Sequence, residues 1–226
     1  LHLSLRRQRQ MCIRDRGYLK LHKTWFCKSK LCPVCNWRRS MKNSYQAQKV
    51  IEEVVKEKPK ARWLFLTLST RNAIDGETLE QSLQHLAKSF HRLTKYKKVS
   101  KNLVGFMRAT EVTVNEDNGS YNQHMHVLLC VESKYFRGSE NYISQKEWLG
   151  LWKKALQVNY EPVLDIKAIT PNQKGDKDIQ AAIKETSKYS VKSSDYLTGD
   201  SEKDSEIVSD LEQGLYRKRM LSYGGL

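Results

Sequence analysis

Apolar positions recur at helical spacing in four stretches of the chain. Residues 40–57 carry such a pattern, so we expect a helix with one buried stripe there, ended by Pro59. The same spacing predicts helices over residues 77–95, 144–157 and 176–191. The stripe of the first helix would consist of Met41, Tyr45, Val50, Val54 and Val55.

Shorter apolar runs predict β-strands between these helices. Residues 63–70 are rich in aromatic and threonine residues, which indicates a buried strand, and residues 161–170 form a further candidate. The clearest signal is a hairpin with arms at 105–114 and 123–131, because Asn118–Gly119 is a favoured two-residue turn. These elements predict an α+β fold, with a central antiparallel sheet and helices packed on one of its faces.

The charge balance indicates what kind of partner the protein binds. The chain of 226 residues has 40 Lys and Arg against 25 Asp and Glu, a formal net charge of +15. Such a surplus favours a nucleic-acid partner over a merely solvated basic surface. No apolar run reaches the roughly 20 residues needed to span a membrane, and no signal peptide is recognisable. We therefore expect a cytoplasmic protein without a membrane partner.

The chain divides into three expected parts. Residues 1–16 resemble translated sequencing-adapter DNA, so we interpret them as a non-native segment, with a basic DNA-binding arm as the alternative. Residues 17–40 are expected to form a cysteine-rich basic unit, and residues 41–226 the main domain. We expect both the cysteine-rich unit and the C-terminal end to be truncated. Within the main domain, the acidic and polar residues 200–209 are expected to form a loop.

Two histidines in the predicted hairpin are candidate metal ligands. His124 and His126 share one face of a strand, because side chains alternate along it. If Asn118 and Gly119 form the tip, Glu111 lies opposite His126, with its carboxylate beside both imidazoles. Two histidines and a carboxylate suit a catalytic divalent ion, and a phosphodiester substrate favours Mg²⁺ or Mn²⁺. Taken alone, the histidine pair is more simply explained as two polar residues on a solvated sheet face, and the flanking apolar strand and the facing carboxylate are what make a metal site an equal alternative.

A tyrosine in the predicted helix 176–191 is a candidate nucleophile. Glu185 and Tyr189 lie four residues apart, so they share a helix face. A tyrosine hydroxyl has a reference pKa of about 10 and needs a nearby base, cation or metal-polarised phosphate to attack. Glu185 could serve as general base for water in a second cleavage. Tyr196 is the competing nucleophile, and an exposed helix face without chemistry is the simpler interpretation of these residues alone. The lysines suited to hold the phosphates of the cleaved strand are Lys188 and Lys192.

Three cysteines near the N-terminus have the spacing of a zinc knuckle. Cys27, Cys32 and Cys35 supply three thiolates, and Pro33 supports the tight turn between them. The fourth ligand of a structural Zn²⁺ would be His22 or a cysteine lost upstream, and reduced structural cysteines are the alternative. The basic and aromatic residues expected to contact DNA phosphates and bases follow directly, as Trp37, Arg38 and Arg39.

Four blocks of the sequence together resemble the replication initiators of rolling-circle plasmids from Gram-positive bacteria, in the HUH endonuclease superfamily. The resemblance implies an α+β nickase domain whose antiparallel sheet carries the HUH hairpin, preceded by a small cysteine-rich, zinc-knuckle-like unit. It spans about residues 20 to 226. The blocks lie at residues 26–39, 64–68, 124–128 and 185–192.

The resemblance also implies a reaction and partners. Tyr189 would attack a phosphodiester at the double-strand origin, leaving a free 3′-hydroxyl and a 5′-phosphotyrosine. His124 and His126 would bind the metal, and Glu185 would direct water in the terminating cleavage, whereas Glu111 rests on the hairpin geometry. The implied partners are single-stranded or hairpin origin DNA, a host helicase and a polymerase. The alternatives are a transposase or relaxase of the same superfamily and a non-catalytic, zinc-dependent DNA-binding regulator.

Overall fold

The computed structural model describes most of the chain from residue 11 onwards. The described residues are 11–15, 18–23, 25–169, 177–187, 191, 194 and 196–225.

These residues contain seven strands and six helices. The strands are β1 (Met11–Asp15), β2 (Tyr18–Lys23), β3 (Arg62–Ser69), β4 (Leu103–Val114), β5 (Tyr121–Val131), β6 (Leu164–Ile169) and β7 (Leu221–Gly224). The helices are α1 (Pro33–Glu57), α2 (Gly76–Lys95), α3 (Lys97–Ser100), α4 (Gln145–Leu156), α5 (Lys177–Thr186) and α6 (Ser201–Leu215), with a 3₁₀ turn at Ser133–Phe136.

A five-stranded sheet forms the centre of the fold. Its strand order is β6-β3-β5-β4-β7, and every neighbouring pair is antiparallel, while β1 and β2 form a separate two-stranded hairpin. The predicted α+β class with a central antiparallel sheet is therefore confirmed. Across the described ranges, none of the helices combines the length and apolar character that crossing a bilayer requires.

Helices cover both faces of the sheet, so the prediction that they pack on one face is wrong. The alternate residues Leu64 and Leu66 of β3 pack with α2 and α4. Their neighbour Trp63 faces the other way and packs with Ala47 of α1 and Ile183 of α5. The interior strands are apolar on both faces, and such strands need a helical layer on each side.

Helix α1 starts earlier than the spacing predicts, and its predicted buried stripe is wrong. Cys32 occupies the N-cap position without a side-chain capping hydrogen bond, and Pro33 occupies the first turn, where a missing N–H costs no hydrogen bond. Ala47 and Ile51 face the core. Two residues of the predicted stripe, Met41 and Tyr45, are instead 56% and 64% exposed.

Residues 200–209 form the first part of helix α6, so the prediction of a loop is wrong. Asp200 caps the helix, with its carboxylate accepting hydrogen bonds from the backbone N–H groups of Glu202 and Lys203. The apolar residues that hold the helix on the core are spaced four apart and lie mostly beyond residue 209. They are Ile207, Leu211 and Leu215.

Two other strongly periodic segments and the hairpin match their predictions, whereas the helix predicted over residues 176–191 ends at Thr186. Helix α2 buries the expected apolar stripe and begins with a capping box between Asp75 and Thr78. Helix α4 buries Trp148 and Trp152. The two hairpin arms extend to twelve and eleven residues as β4 and β5.

Candidate functional site

The hairpin register differs from the predicted one. Glu111 pairs with His124, and Ala109 pairs with His126, so the expectation that Glu111 lies opposite His126 is wrong. The register has moved by two residues, which leaves every side chain on its expected face. Glu111 therefore still lies on the same face as both histidines.

The turn chemistry explains this shift. The Gly119 N–H donates to the Asn115 carbonyl at 2.8 Å, and the Asn115 N–H donates to the Ser120 carbonyl at 2.8 Å. Gly119 has a φ of 69°, which suits glycine. The connection is thus a six-residue loop over residues 115–120, rather than a two-residue turn at Asn118–Gly119.

Glu111, His124 and His126 bring three metal-binding atoms together. A single carboxylate oxygen, Oε2 of Glu111, lies 3.2 Å from Nε2 of His124 and 3.2 Å from Nε2 of His126. The two imidazole rings are nearly perpendicular, at 86°, with their centroids 4.9 Å apart. All three candidate ligand atoms lie within 4.8 Å of one another.

The spacing of these atoms fits a small divalent ion. Adjacent ligands of an octahedral ion with bonds of about 2.1 Å are separated by about 3.0 Å, close to the 3.2 Å observed. Two imidazole nitrogens and one carboxylate oxygen leave further coordination positions for water and phosphate oxygens. The donors therefore suit a catalytic centre better than a closed structural one.

Burial and charge fix the state of the carboxylate. Glu111 is only 6% exposed. Burial acts to raise the pKa of its carboxyl group, but hydrogen bonds from His124 and His126, together with their charge, outweigh this effect and hold the pKa well below its usual range. Glu111 is accordingly an ionised acceptor at neutral pH, as a metal ligand must be.

The neighbouring strand β3 orients His126. Oγ1 of Thr67 lies 3.3 Å from Nδ1 of His126, and the Phe65 ring stacks on the imidazole at a centroid distance of 5.7 Å. When Nδ1 carries a proton and donates it to Thr67, loss of the proton from Nε2 makes that nitrogen the one that can bind a cation. Strand pairing places Thr67 directly opposite His126.

Helix α5 lies on the same face of the sheet as these ligands. Its residues Ala182 and Ile183 pack with Leu128 and Cys130. These two residues of β5 lie on the same face of the sheet as His126, because side chains alternate along a strand. Glu185 occupies the last turn of α5 and is half-buried. The helix that carries the candidate general base therefore covers the metal-ligand face.

The structure does not place the whole predicted nucleophile group. Lys188, Tyr189 and Lys192 lie outside the described residues. The competing Tyr196 is buried, and its hydroxyl donates a hydrogen bond to the Leu31 carbonyl. The Tyr196 hydroxyl is therefore engaged with backbone inside the protein.

The three N-terminal cysteines also converge. Sγ of Cys27 lies 3.4 Å from Sγ of Cys35, and the three sulfur atoms satisfy the spacing of one ion. Burial acts to raise the pKa of Cys32, but hydrogen bonds from the Cys35 N–H and the neighbouring thiols lower it overall. Burial and a hydrogen bond with Cys27 raise the pKa of Cys35 to about 11. The side chain of His22, the candidate fourth ligand, lies outside the described residues.

The predicted DNA-contact residues begin helix α1. Trp37 is 55% exposed, and the guanidinium of Arg38 lies 4.1 Å from the Phe26 ring centroid. Arg39 points elsewhere, donating to Oδ1 of Asn36 at 2.7 Å. The three side chains thus differ in their surroundings: Trp37 is exposed, Arg38 packs on Phe26, and Arg39 is hydrogen-bonded to Asn36.

Sequence reasoning missed residues that depend on distant pairing. Thr67 is an ordinary strand residue until β3 pairs with β5. Lys30 and Lys218 line a common cavity although they are far apart in the chain. Strand alternation predicts that Thr67 and Trp63 share one face of β3, but nothing in the local sequence indicates which residues they contact across the fold.

Comparisons with known proteins find relatives among replication proteins. A family model described as "Replication protein" matches residues 18–226. The chain is 55% identical over 210 residues to a "Protein rep" of Lactiplantibacillus plantarum, covering 92% of this chain and 66% of that protein. It is 56% identical over 186 residues to a "Replication protein" of Staphylococcus aureus, covering 82% and 79%.

A third relative, a "Protein rep" of Lentilactobacillus hilgardii, is 50% identical over 213 residues, covering 94% of this chain and 67% of that protein. No solved structure matches. The chain spans about two thirds of the length of the L. plantarum relative. By the family match and these identities, the chain belongs to the family of Rep replication proteins.

Proposed function

We propose that the chain is a rolling-circle plasmid replication initiator that nicks single-stranded or extruded origin DNA through a tyrosine. The observation that carries the proposal is the convergence of Glu111, His124 and His126 on one carboxylate oxygen, on a sheet face covered by α5. Membership of the replication protein family and the net charge of +15 support DNA as the substrate.

Glu111, His124 and His126 are the residues that would hold the catalytic ion. When bound there, Mg²⁺ or Mn²⁺ supplies a Lewis acid for a phosphate oxygen of the substrate. Thr67 and Phe65 keep the His126 ring in place. The rigid hairpin thereby positions the scissile phosphate without reorganisation during the reaction.

Tyr189 is the proposed nucleophile. Its phenolic oxygen attacks the scissile phosphorus, a new phosphorus–oxygen bond forms, and the bond from phosphorus to the 3′ oxygen breaks. The proton released by the phenol is balanced by the proton taken up by the departing 3′ oxygen. The products are a 5′-phosphotyrosine and a free 3′-hydroxyl from which a host polymerase can extend, while a host helicase separates the strands.

Glu185 is the proposed base for the terminating cleavage. A carboxylate in the last turn of α5 can accept a proton from water that attacks the second phosphodiester. Lys188 and Lys192, which follow α5 in sequence, are proposed to neutralise phosphates of the same strand. The two cleavages are thus divided between a tyrosine and a carboxylate.

The exposed face of α1 is the proposed DNA-stacking surface. Trp37, Met41 and Tyr45 follow one another at four-residue intervals and are all more than half exposed. Residues 33–49 contain four basic residues and no acidic ones. Aromatic rings flanked by cations suit a single strand, because bases stack on the rings while phosphates approach the cations. The basic residues of this segment are Arg38, Arg39, Lys42 and Lys49.

The cysteine cluster is the proposed structural zinc site, with His22 as the candidate fourth ligand. Cys32 and Cys35 belong to the N-terminal end of α1, so a bound Zn²⁺ would fix the start of this helix. Residues 17–40 are proposed to act as a DNA-binding unit attached through α1 to the nickase domain.

Covalent capture of DNA tests the proposed reaction. The protein is incubated with end-labelled single-stranded origin DNA and Mn²⁺, and the adduct is separated by denaturing electrophoresis. We expect an adduct that is lost in Tyr189→Phe and in His126→Ala but retained in Tyr196→Phe. Tyr196→Phe is the matched control, because it removes a tyrosine hydroxyl that is buried against Leu31.

Two outcomes would contradict the proposal. An adduct that persists in Tyr189→Phe would assign the nucleophile to another residue. Specific origin binding without an adduct, in both this chain and a full-length relative, would instead favour a non-catalytic regulator.

A further inference from the structure

A basic cavity of about 370 Å³ lies between α1, β4, β7 and the end of α5. Three of its lining residues carry positive charges: Lys30, Arg39 and Lys218. None of the lining residues in the described part of the chain is acidic. The described lining of the cavity therefore carries positive charge and no carboxylate that could neutralise it.

The charges of two of these residues are not neutralised by carboxylates in the described ranges. Lys218 forms an ion pair with Glu80 at 2.7 Å. Lys30 donates instead to the Leu215 carbonyl, and Arg39 donates to Oδ1 of Asn36 and to a backbone carbonyl. Burial, followed by repulsion from Arg39 and Lys218, lowers the pKa of Lys30. An anion between the three groups would relieve this repulsion.

The cavity adjoins the proposed catalytic face. Ala109, one of its lining residues, pairs with His126 across the hairpin and shares a face with Glu111. Thr186, another lining residue, directly follows Glu185 at the end of α5. A chain of DNA that reaches the metal ligands can therefore continue into the cavity.

The remaining lining favours a nucleotide over a bare anion. Asn43 and Gln46 follow Arg39 at helical spacing on α1, and Tyr223 of β7 completes the lining. Amide and hydroxyl groups can pair with sugar oxygens and base edges. The volume would hold roughly a dozen waters at about 30 Å³ each, which is more space than a single phosphate group fills.

We infer that this cavity binds one nucleotide of the DNA strand next to the scissile phosphate, with its phosphate held between Lys30 and Arg39. The inference rests on the proposed function, since that function supplies the strand. It assigns Arg39 a role distinct from Arg38, whose guanidinium packs on Phe26 outside the cavity.

Binding without cleavage tests this inference. The full chain is titrated with a fluorescent single-stranded oligonucleotide in buffer without added Mg²⁺ or Mn²⁺ and without a chelator, which keeps the proposed structural Zn²⁺ in place, and the anisotropy is measured at several salt concentrations. We expect Arg39→Gln and Lys30→Gln each to weaken binding about tenfold, as loss of a charge-assisted hydrogen bond implies. Each should also reduce the slope of log affinity against log salt by about 0.7. The matched control is Lys146→Gln, an exposed lysine of α4 on the opposite side of the sheet, which should change affinity less than twofold.

Equal affinities for Arg39→Gln and Lys146→Gln would overturn the inference. Thermal unfolding of each variant shows whether it is still folded. If Lys30→Gln is unfolded, the affinity of Arg39→Gln, which removes no buried apolar contact, tests the inference. Inorganic phosphate, titrated at constant ionic strength, separates the two sources of the anion. If Arg39→Gln weakens only phosphate binding and leaves oligonucleotide binding intact, the cavity holds a free anion and the assignment to a strand is wrong.

This experiment is independent of the nicking reaction. Weaker oligonucleotide binding by the cavity variants without added Mn²⁺, combined with no covalent adduct in Mn²⁺, would reject the proposed chemistry and keep the cavity assignment. An adduct in Mn²⁺, combined with unchanged oligonucleotide binding by the cavity variants, would keep the proposed chemistry and reject the cavity assignment.

Discussion

At the scale of single residues, the candidate metal ligands are contacted by a hydroxyl that lies outside the hairpin. Thr67 contacts Nδ1 of His126 from strand β3. A partner of this kind selects the tautomer whose other nitrogen can bind a cation, and its loss commonly weakens metal binding 10–100-fold. We therefore expect Thr67 to be a positioning residue that acts through His126.

We expect Thr67→Val to weaken Mn²⁺ binding by about 10–100-fold, because valine keeps the shape of threonine but cannot accept the Nδ1 proton. Mn²⁺ titration monitored by electron paramagnetic resonance measures the affinity directly. Thr67→Ser, which retains the hydroxyl, should remain within a few-fold of the wild type. Identical affinities for the valine and serine variants would show that the hydroxyl has no part in orienting His126.

The residue types of the site could be predicted from the sequence, but their exact pairing could not. The alternation of His124 and His126 is a local property of a strand, and it needs no tertiary information. The position of Glu111 depends on loop length, and Asn118–Gly119 indicates a two-residue turn although the loop has six residues. Because the predicted register differs from the observed one by an even number of residues, Glu111 still lies on the same face as both histidines.

At the scale of secondary structure, helices α2 and α6 approach each other at two glycines. A Cβ on Gly214 would lie 2.6 Å from Cγ of Leu79, a fully buried residue of α2. A Cβ on Gly76 would lie 2.9 Å from the Asp210 backbone. This close packing explains why residues 200–209 form a helix despite their polar composition, since tertiary contacts outweigh local preference.

Gly214→Ala should lower the free energy of unfolding by about 1–3 kcal/mol, the usual cost of overpacking a core. Gly150→Ala is the matched control, because Gly150 lies in α4 with nothing within 4 Å of the added Cβ. That variant should raise the free energy of unfolding by about 0.5–1 kcal/mol through helix propensity. Urea denaturation measures both, and destabilisation of equal size in the two variants would rule out the close approach of Leu79 as the cause.

Helix α1 shows the limit of periodicity as a guide to burial. Met41, Tyr45 and Val55 have apolar spacing that predicts a core stripe, yet the structure exposes all three. The core side of α1 is lined instead by Ala47 and Ile51. Periodicity reports which residues share a face, whereas the position of the sheet decides which face is buried.

At the scale of the whole molecule, one broad side presents α1 with its aromatic and basic residues. Trp37→Ala and Tyr45→Ala should each weaken binding of single-stranded DNA by about 1–3 kcal/mol, the value of one stacked base. Tyr142→Ala provides the control, since Tyr142 is also exposed but packs near Tyr135 on the α2 and α4 side. Fluorescence anisotropy with a labelled oligonucleotide gives the affinities. Unchanged affinity in both α1 variants would show that the strand follows another path.

The two parts of the proposed site differ in how much of the chain must remain folded to maintain them. The three metal ligands all lie between residues 111 and 126, on one hairpin in the middle of the sheet. The walls of the cavity come from residues as distant as Lys30, Thr186 and Lys218. Local opening near the C-terminal strand β7 would dismantle the cavity while leaving the hairpin closed. We therefore expect fraying at that end to weaken the proposed DNA contacts of the cavity before it disturbs the proposed metal ligands.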